Sequence, residues 1–149
     1  KGMMIMVNKW DLIEKENNTA EKIKKELLAK LGTMNYMPII FGSVLKKQRI
    51  FQVIEKANEI QENRIRKIST SKLNEVLLPE IEKNPPPAIK GKYIKIKYIT
   101  QLPIYTPTFA FFCNLPQYIK APYERFLENK LRSHFNFEGV PVRLFFRKK

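Results

Sequence analysis

Met3-Met4-Ile5-Met6-Val7-Asn8-Lys9-Trp10-Asp11 decides how this chain is read. Five apolar residues in a row predict a short buried strand, and the polar Asn8-Lys9 that follows ends it in a loop. A carboxylate held at Asp11 can accept two hydrogen bonds, from the N1–H and the exocyclic amine of guanine, which adenine cannot match. If a guanine sits against Asp11, Asn8 would brace the turn and reach the acceptor edge of the base, and the aliphatic stem of Lys9 would cover one ring face. Trp10, the single tryptophan, is expected to pack beneath the loop.

The residues downstream fit the same layout. Asn18 or Thr19 caps a predicted helix over 19–31, with Ile23, Leu27, Leu28 and Leu31 at helical spacing and Gly32 as its stop. Tyr36 to Phe41 reads as a short buried strand that Pro38 confines to an edge or to its first positions. A helix over about 48–62 follows, with Ile50, Val53, Ile54, Ala57 and Ile60 on one face. Asn-Lys-x-Asp after a buried strand resembles the base-reading motif of GTPases. In those proteins a second loop of the type Ser-Ala-Leu lies at this distance, and Ser43-Val44-Leu45 is similar to it. That likeness implies that the Val44 N–H meets guanine O6 and that Ser43 buttresses Asp11.

No Gly-x-x-x-x-Gly-Lys-Ser/Thr phosphate loop occurs, and Gly91-Lys92 lacks both the earlier glycine and the following hydroxyl residue. The chain opens on Lys1 inside a buried strand, so the expectation is a piece of a longer GTPase, an α/β remnant with neither catalytic nor metal-binding residues and inactive alone. A lone Cys113 gives no disulfide framework and reads as core. His134 has no second histidine with which to hold zinc and reads as structural. No apolar run reaches the length of about 20 residues that spans a bilayer, so no membrane partner and a cytoplasmic location are expected.

Charge divides the chain. Residues 1–63 hold 11 Lys and Arg against 8 Asp and Glu, net +3; residues 64–149 hold 17 against 6, net +11 of the total +14. The domains are therefore placed at 1–63 and 64–149. The second reads helix, strand, strand, helix, strand: a helix capped by Ser69 or Ser71 that stops before Pro85-Pro86-Pro87, an alternating strand over 92–99, an apolar central strand over 108–113, a helix from Pro122, and a last strand after Gly139-Val140-Pro141. Ile94, Ile96 and Tyr98 are expected on one face of the first strand. A three-stranded sheet with helices on one face, an α+β arrangement, is the economical result. The apolar run Phe109, Phe111 and Phe112 is assigned to the core.

Asn8-Lys9-Trp10-Asp11, Ser43 with Lys47-Gln48-Arg49-Ile50, Thr70-Ser71-Lys72-Leu73-Asn74, Pro85-Pro86-Pro87, Gly91 to Tyr98 and Gly139 to Arg147 resemble, in order, the C-terminal half of the ribosome-assembly GTPase family Der, also called EngA. The resemblance implies the end of a P-loop GTPase domain followed by a KH-like domain, in a parent that binds GTP and GDP with Mg and acts in maturation of the large ribosomal subunit. Asn8, Lys9, Asp11, Ser43, Val44 and Leu45 carry over as guanine-contacting positions. The partners implied are guanine nucleotide, the large subunit or its rRNA, and the other GTPase domain of the same parent.

An authentic KH domain clamps nucleotide backbone with a Gly-x-x-Gly loop. None of the five glycines here lie three apart, and the corresponding stretch reads Leu115 to Pro122. RNA contact would then come from basic side chains on phosphates, with Lys90, Lys92, Lys95 and Lys97 on the first strand and Arg143, Arg147, Lys148 and Lys149 at the end as candidates. The alternative is a domain that packs on a GTPase domain and transmits nucleotide state without touching RNA.

Overall fold

The computed structural model describes residues 1–14 and 16–149, which divide into two units: Lys1–Arg64 with Phe137–Pro141, and Ile65–Asn136 with Val142–Lys149. Sequence places Phe137–Pro141 in the second domain; in the structure this segment packs with the first unit.

In the first unit, β1 (Ile5–Val7) and β2 (Ile39–Phe41) form a parallel pair in the register Ile5 to Ile39 and Val7 to Phe41. α1 (Thr19–Leu31) connects them, as parallel strands require a crossover. α2 (Ile50–Ile65) starts two residues later than its apolar pattern suggests and runs on through the charged stretch after residue 62. Its inner row is Val53, Lys56, Ile60 and Asn63, while Ile54 and Ala57 from the expected stripe stand exposed. Asn63 is fully buried, and its amide donates to Glu138 O at 3.1 Å.

Phe137–Pro141 closes this unit at the N-terminal ends of its strands. The Gly139 N–H donates to Tyr36 O at 2.8 Å, and Gly139 O accepts from Met3 N at 2.7 Å. Phe137 and Val140 are buried, and Phe137 O accepts from Val140 N at 3.1 Å, a β-turn with Gly139 at its third position. That position takes φ +75° in this turn, which L side chains rarely adopt.

The second unit has the helix-strand-strand-helix-strand order expected: α3 (Thr70–Lys83), β3 (Ile96–Gln101), β4 (Thr108–Cys113), α4 (Ala121–His134) and β5 (Arg143–Lys148). β4 is central, antiparallel to β3 and parallel to β5. Ser69 Oγ caps α3 by accepting from Lys72 N, and Leu73, Leu77 and Ile81 bury its inner stripe. Leu73 and Leu77 share the core with Ile99, Phe109, Phe111, Cys113, Leu127 and Leu131, each at most 1 % exposed. Asn74 lies on the outer edge of β3 like an added strand, its Oδ1 accepting from Ile99 N at 2.8 Å and its Nδ2 donating to Ile99 O at 2.9 Å. Gln101 does the same for the connector, bonding Ile68 N and Arg66 O.

The alternation expected over 92–99 fails at its end. Ile96 pairs with Cys113 but Tyr98 with Phe112, so Lys97 and Tyr98 together oppose one residue. This bulge reverses the inward phase: Ile99 is fully buried and Tyr98 is turned to the other face.

Candidate guanine-reading loops and basic surface

The loops that follow β1 and β2 lie side by side. Gly42 N donates to Val7 O at 2.9 Å and Trp10 N to Gly42 O at 3.1 Å, so the parallel ladder continues past both strands. Lys9 turns the chain in the left-handed region (φ 59°), and Trp10–Leu12 forms one 3-10 turn behind it. Trp10 is buried with its ring 4.6 Å from that of Phe41. Asp11 is half-buried, whereas Asn8 and Lys9 are exposed.

The second loop is closed at its base. Ser43 and Gln48 exchange both backbone hydrogen bonds (3.2 and 2.8 Å), and Arg49 Nη1 donates to Phe41 O at 2.9 Å. Ser43 is fully buried with Oγ accepting from Lys46 N at 3.2 Å, whereas Val44 and Leu45 stand at the tip, 56 % and 85 % exposed. The Val44 N–H, expected to face guanine O6, donates here to Asn8 Oδ1 at 3.0 Å. Asn8 therefore ties one loop to the other. Gln48 and Arg49 close the second loop, and sequence reasoning gave them no part in the site; nothing in their residue types marks that task.

The basic candidates fall into separate groups. Lys90 and Gly91, both at positive φ (52° and 72°), form a two-residue turn between Ile89 and Lys92, whose backbones exchange hydrogen bonds of 3.1 and 3.0 Å. Of the four lysines assigned to the first strand, only Lys97 lies on it, at the bulge. Lys95 pairs instead with Asn114, whose Oδ1 accepts from Lys95 N at 2.8 Å. Lys92 Nζ stands 5.8 Å from the Tyr118 ring centroid. Arg143 and Arg147 project with Phe145 from one side of β5 and Lys148 from the other, since side chains alternate along a strand. Lys149 Nζ sits 4.9 Å from the Tyr98 ring. Where a Gly-x-x-Gly loop would fall, Pro116–Tyr118 makes a 3-10 turn, and Pro122 sits in the first turn of α4.

The remaining titratable groups support the fold. Burial pushes the Cys113 thiol up, away from thiolate chemistry. His134 Nε2 lies 3.4 Å from Glu80 Oε1 near the end of α4, and Lys130 bonds the same carboxylate at 2.8 Å. The Lys130 hydrogen bond is the main cause that lowers the Glu80 pKa. Among the described residues no group of three or more His, Cys, Asp or Glu could hold a metal ion, and no helix is long and apolar enough to cross a membrane.

Residues 67–147 match the family model described as the C-terminal KH-domain-like region of EngA bacterial GTPase enzymes. Over all 149 residues the chain is 59 % identical to "GTPase Der" of Amoebophilus asiaticus. It is 56 % identical to that of Christiangramia forsetii and 55 % to that of Cytophaga hutchinsonii. In each case it spans 34 % of the relative, about a third of its length. With more than half of its residues under that family model and whole-length identity to several Der proteins, the chain belongs to the EngA (Der) family of bacterial GTPases.

Proposed function

We propose that the first unit reads guanine for a GTPase and that the basic KH-like unit contacts rRNA, in a factor that acts in maturation of the large ribosomal subunit in the cytoplasm. The observation that carries the nucleotide part is the Asn8–Val44 hydrogen bond, which joins two loops at the C-terminal ends of adjacent parallel strands. Ligands of α/β sheets bind at that end. Asp11 would take the N1–H and amine of the base, Lys9 would cover a ring face, and Val44 N would turn from Asn8 to guanine O6. Ser43 and Leu45 would shape the loop around that donor. The phosphates and Mg of GTP or GDP need residues other than these, and hydrolysis depends on them.

Two experiments test this. The chain by itself should bind GTP weakly and release no phosphate; sub-micromolar affinity by calorimetry would contradict the assignment of phosphate binding to other residues. In the complete protein Asp11→Asn should weaken GTP and favour xanthosine triphosphate, because an amide can donate to the carbonyl that xanthine carries in place of the amine. Unchanged preference for guanine would remove Asp11 from the site.

The net +11 of residues 64–149 supports a polyanion partner for the second unit, with Lys90, Lys92, Lys95, Lys97, Arg143, Arg147, Lys148 and Lys149 as the phosphate contacts. A second reading is favoured by Phe137–Pro141, which belongs to the unit with the guanine loops although it lies between α4 and β5 in the chain. On that reading the KH-like unit transmits nucleotide state within the parent, including to its other GTPase domain. RNA affinity that is independent of bound nucleotide would count against it.

A further inference from the structure

One face of the β3–β4–β5 sheet carries rings and cations in rows. Register aligns Tyr98, Phe112 and Arg147 across the three strands, and Thr100, Ala110 and Phe145 in the next row. The Tyr98 and Phe112 rings stack at 4.4 Å with their planes 13° apart, and both residues are partly exposed. Lys149, two residues beyond Arg147, places its Nζ 4.9 Å from the Tyr98 centroid. Phe145 is 46 % exposed, between the exposed Arg143 and Arg147. None of the three strands contains an Asp or Glu. The opposite face holds Ile99, Phe109 and Phe111, all fully buried, so the core has no need of these outer rings.

A merely solvated charged face accounts for the arginines but not for a phenyl ring held in water between them, where burial of about 25 cal/mol per Å2 is forgone. Rings beside cations match a strand of nucleic acid with unpaired bases: π-faces take bases, and guanidinium and ammonium groups take phosphates. A double helix offers no free base face. Phe112 and Phe145 lie one strand apart and two residues along, about 8 Å from strand spacing and rise, so each ring can take a separate base. An acidic protein patch would use the cations and leave the rings idle.

We propose that this face is a stacking platform for single-stranded RNA. Bases rest on Phe145 and on the Tyr98–Phe112 pair, and phosphates meet Arg143, Arg147 and Lys149. The Lys149 ammonium gives up its place over Tyr98 to a base and turns to a phosphate. The assignment rests on the RNA-contact reading above and adds to it the surface and the form of RNA. The bulge at Lys97 is what makes it possible, because an unbroken alternation would not put Tyr98 on the outer face opposite Phe112.

The test uses the whole chain with a dye-labelled oligouridylate of about ten nucleotides and an RNA hairpin duplex of similar length, titrated over a range of salt. Phe145→Leu and Tyr98→Leu keep apolar bulk and charge but remove the ring. Each should lower affinity for the single strand about five- to 150-fold, leave the salt dependence unchanged and leave the duplex unaffected. Tyr98→Phe, which keeps the ring, should bind like the parent chain, and Arg147→Gln should flatten the salt dependence. The platform is overturned if the leucine variants bind the single strand normally, if they lose single strand and duplex alike with unchanged circular dichroism, or if the parent chain prefers the duplex. A parent chain that binds neither RNA refutes the RNA-contact reading and the platform with it.

Discussion

Gly139→Ala should destabilise the first unit strongly, because Gly139 is buried and sits at positive φ. Two separate costs arise. At φ +75° an L side chain carries a left-handed penalty of about 1–2 kcal/mol. The new Cβ would also stand 2.5 Å from Ile60 Cγ1 and 2.7 Å from Ile60 Cδ1, and Ile60 is itself buried, so relief requires the α2 side chain to move. Overpacking of that kind costs about 1–3 kcal/mol, which brings the total to about 2–5 kcal/mol. Trp10 makes the assay specific, because the only tryptophan is buried in this unit, and its emission in a urea titration reports the first unit alone. The parts separate in a double-mutant cycle: Ile60→Ala should cancel the overlap in Gly139→Ala and leave the backbone penalty. A shift below about 1 kcal/mol for Gly139→Ala, or no coupling to Ile60, would refute the view that this turn is clamped against α2.

Asn74→Ala strips both Ile99 backbone groups of their partners at a buried edge and should cost about 2–4 kcal/mol, read from chemical denaturation followed by circular dichroism; a neutral variant would mean that water serves the edge equally well. Asn8→Ala frees the Val44 amide, whose hydrogen exchange should rise about two- to tenfold by mass spectrometry or NMR, while exchange in β4 stays unchanged. Burial raises the Tyr123 phenol to about 12 from its ordinary 10.0, and its OH donates to Asn84 O at 2.8 Å. The folded state therefore holds that proton more tightly, so this contribution is complete below pH 10 and is lost as pH rises through about 12. Tyr123→Phe should remove that part of the alkaline decline in melting temperature, and an unchanged decline would assign it to other groups.

The elements were legible because each depends on neighbours in sequence: α1 from its apolar spacing and Gly32, α3 from Ser69 and the prolines after it, and β4 from a run apolar on both faces. The candidate guanine-reading residues Asn8, Lys9 and Asp11 are likewise local, since they lie within four positions of one another. Composition likewise exposed the basic second part, because net charge needs no coordinates. What sequence could not settle depends on partners far along the chain. The bulge at Lys97 is decided by the register against β4, and a pattern of period two cannot show where two residues face one. Asn74 and Asn63 look like ordinary polar helix residues, and only the edge of β3 and the Glu138 carbonyl explain their burial. Phe137–Pro141 was assigned by its place between α4 and β5, but hydrogen bonds to Met3 and Tyr36, more than a hundred residues away in sequence, take it into the first unit. Local propensity is written in a window of a few residues; register, edges and long-range hydrogen bonds are settled by what the folded chain brings together, and those decided where the rings, the turn and the loop at Ser43 stand.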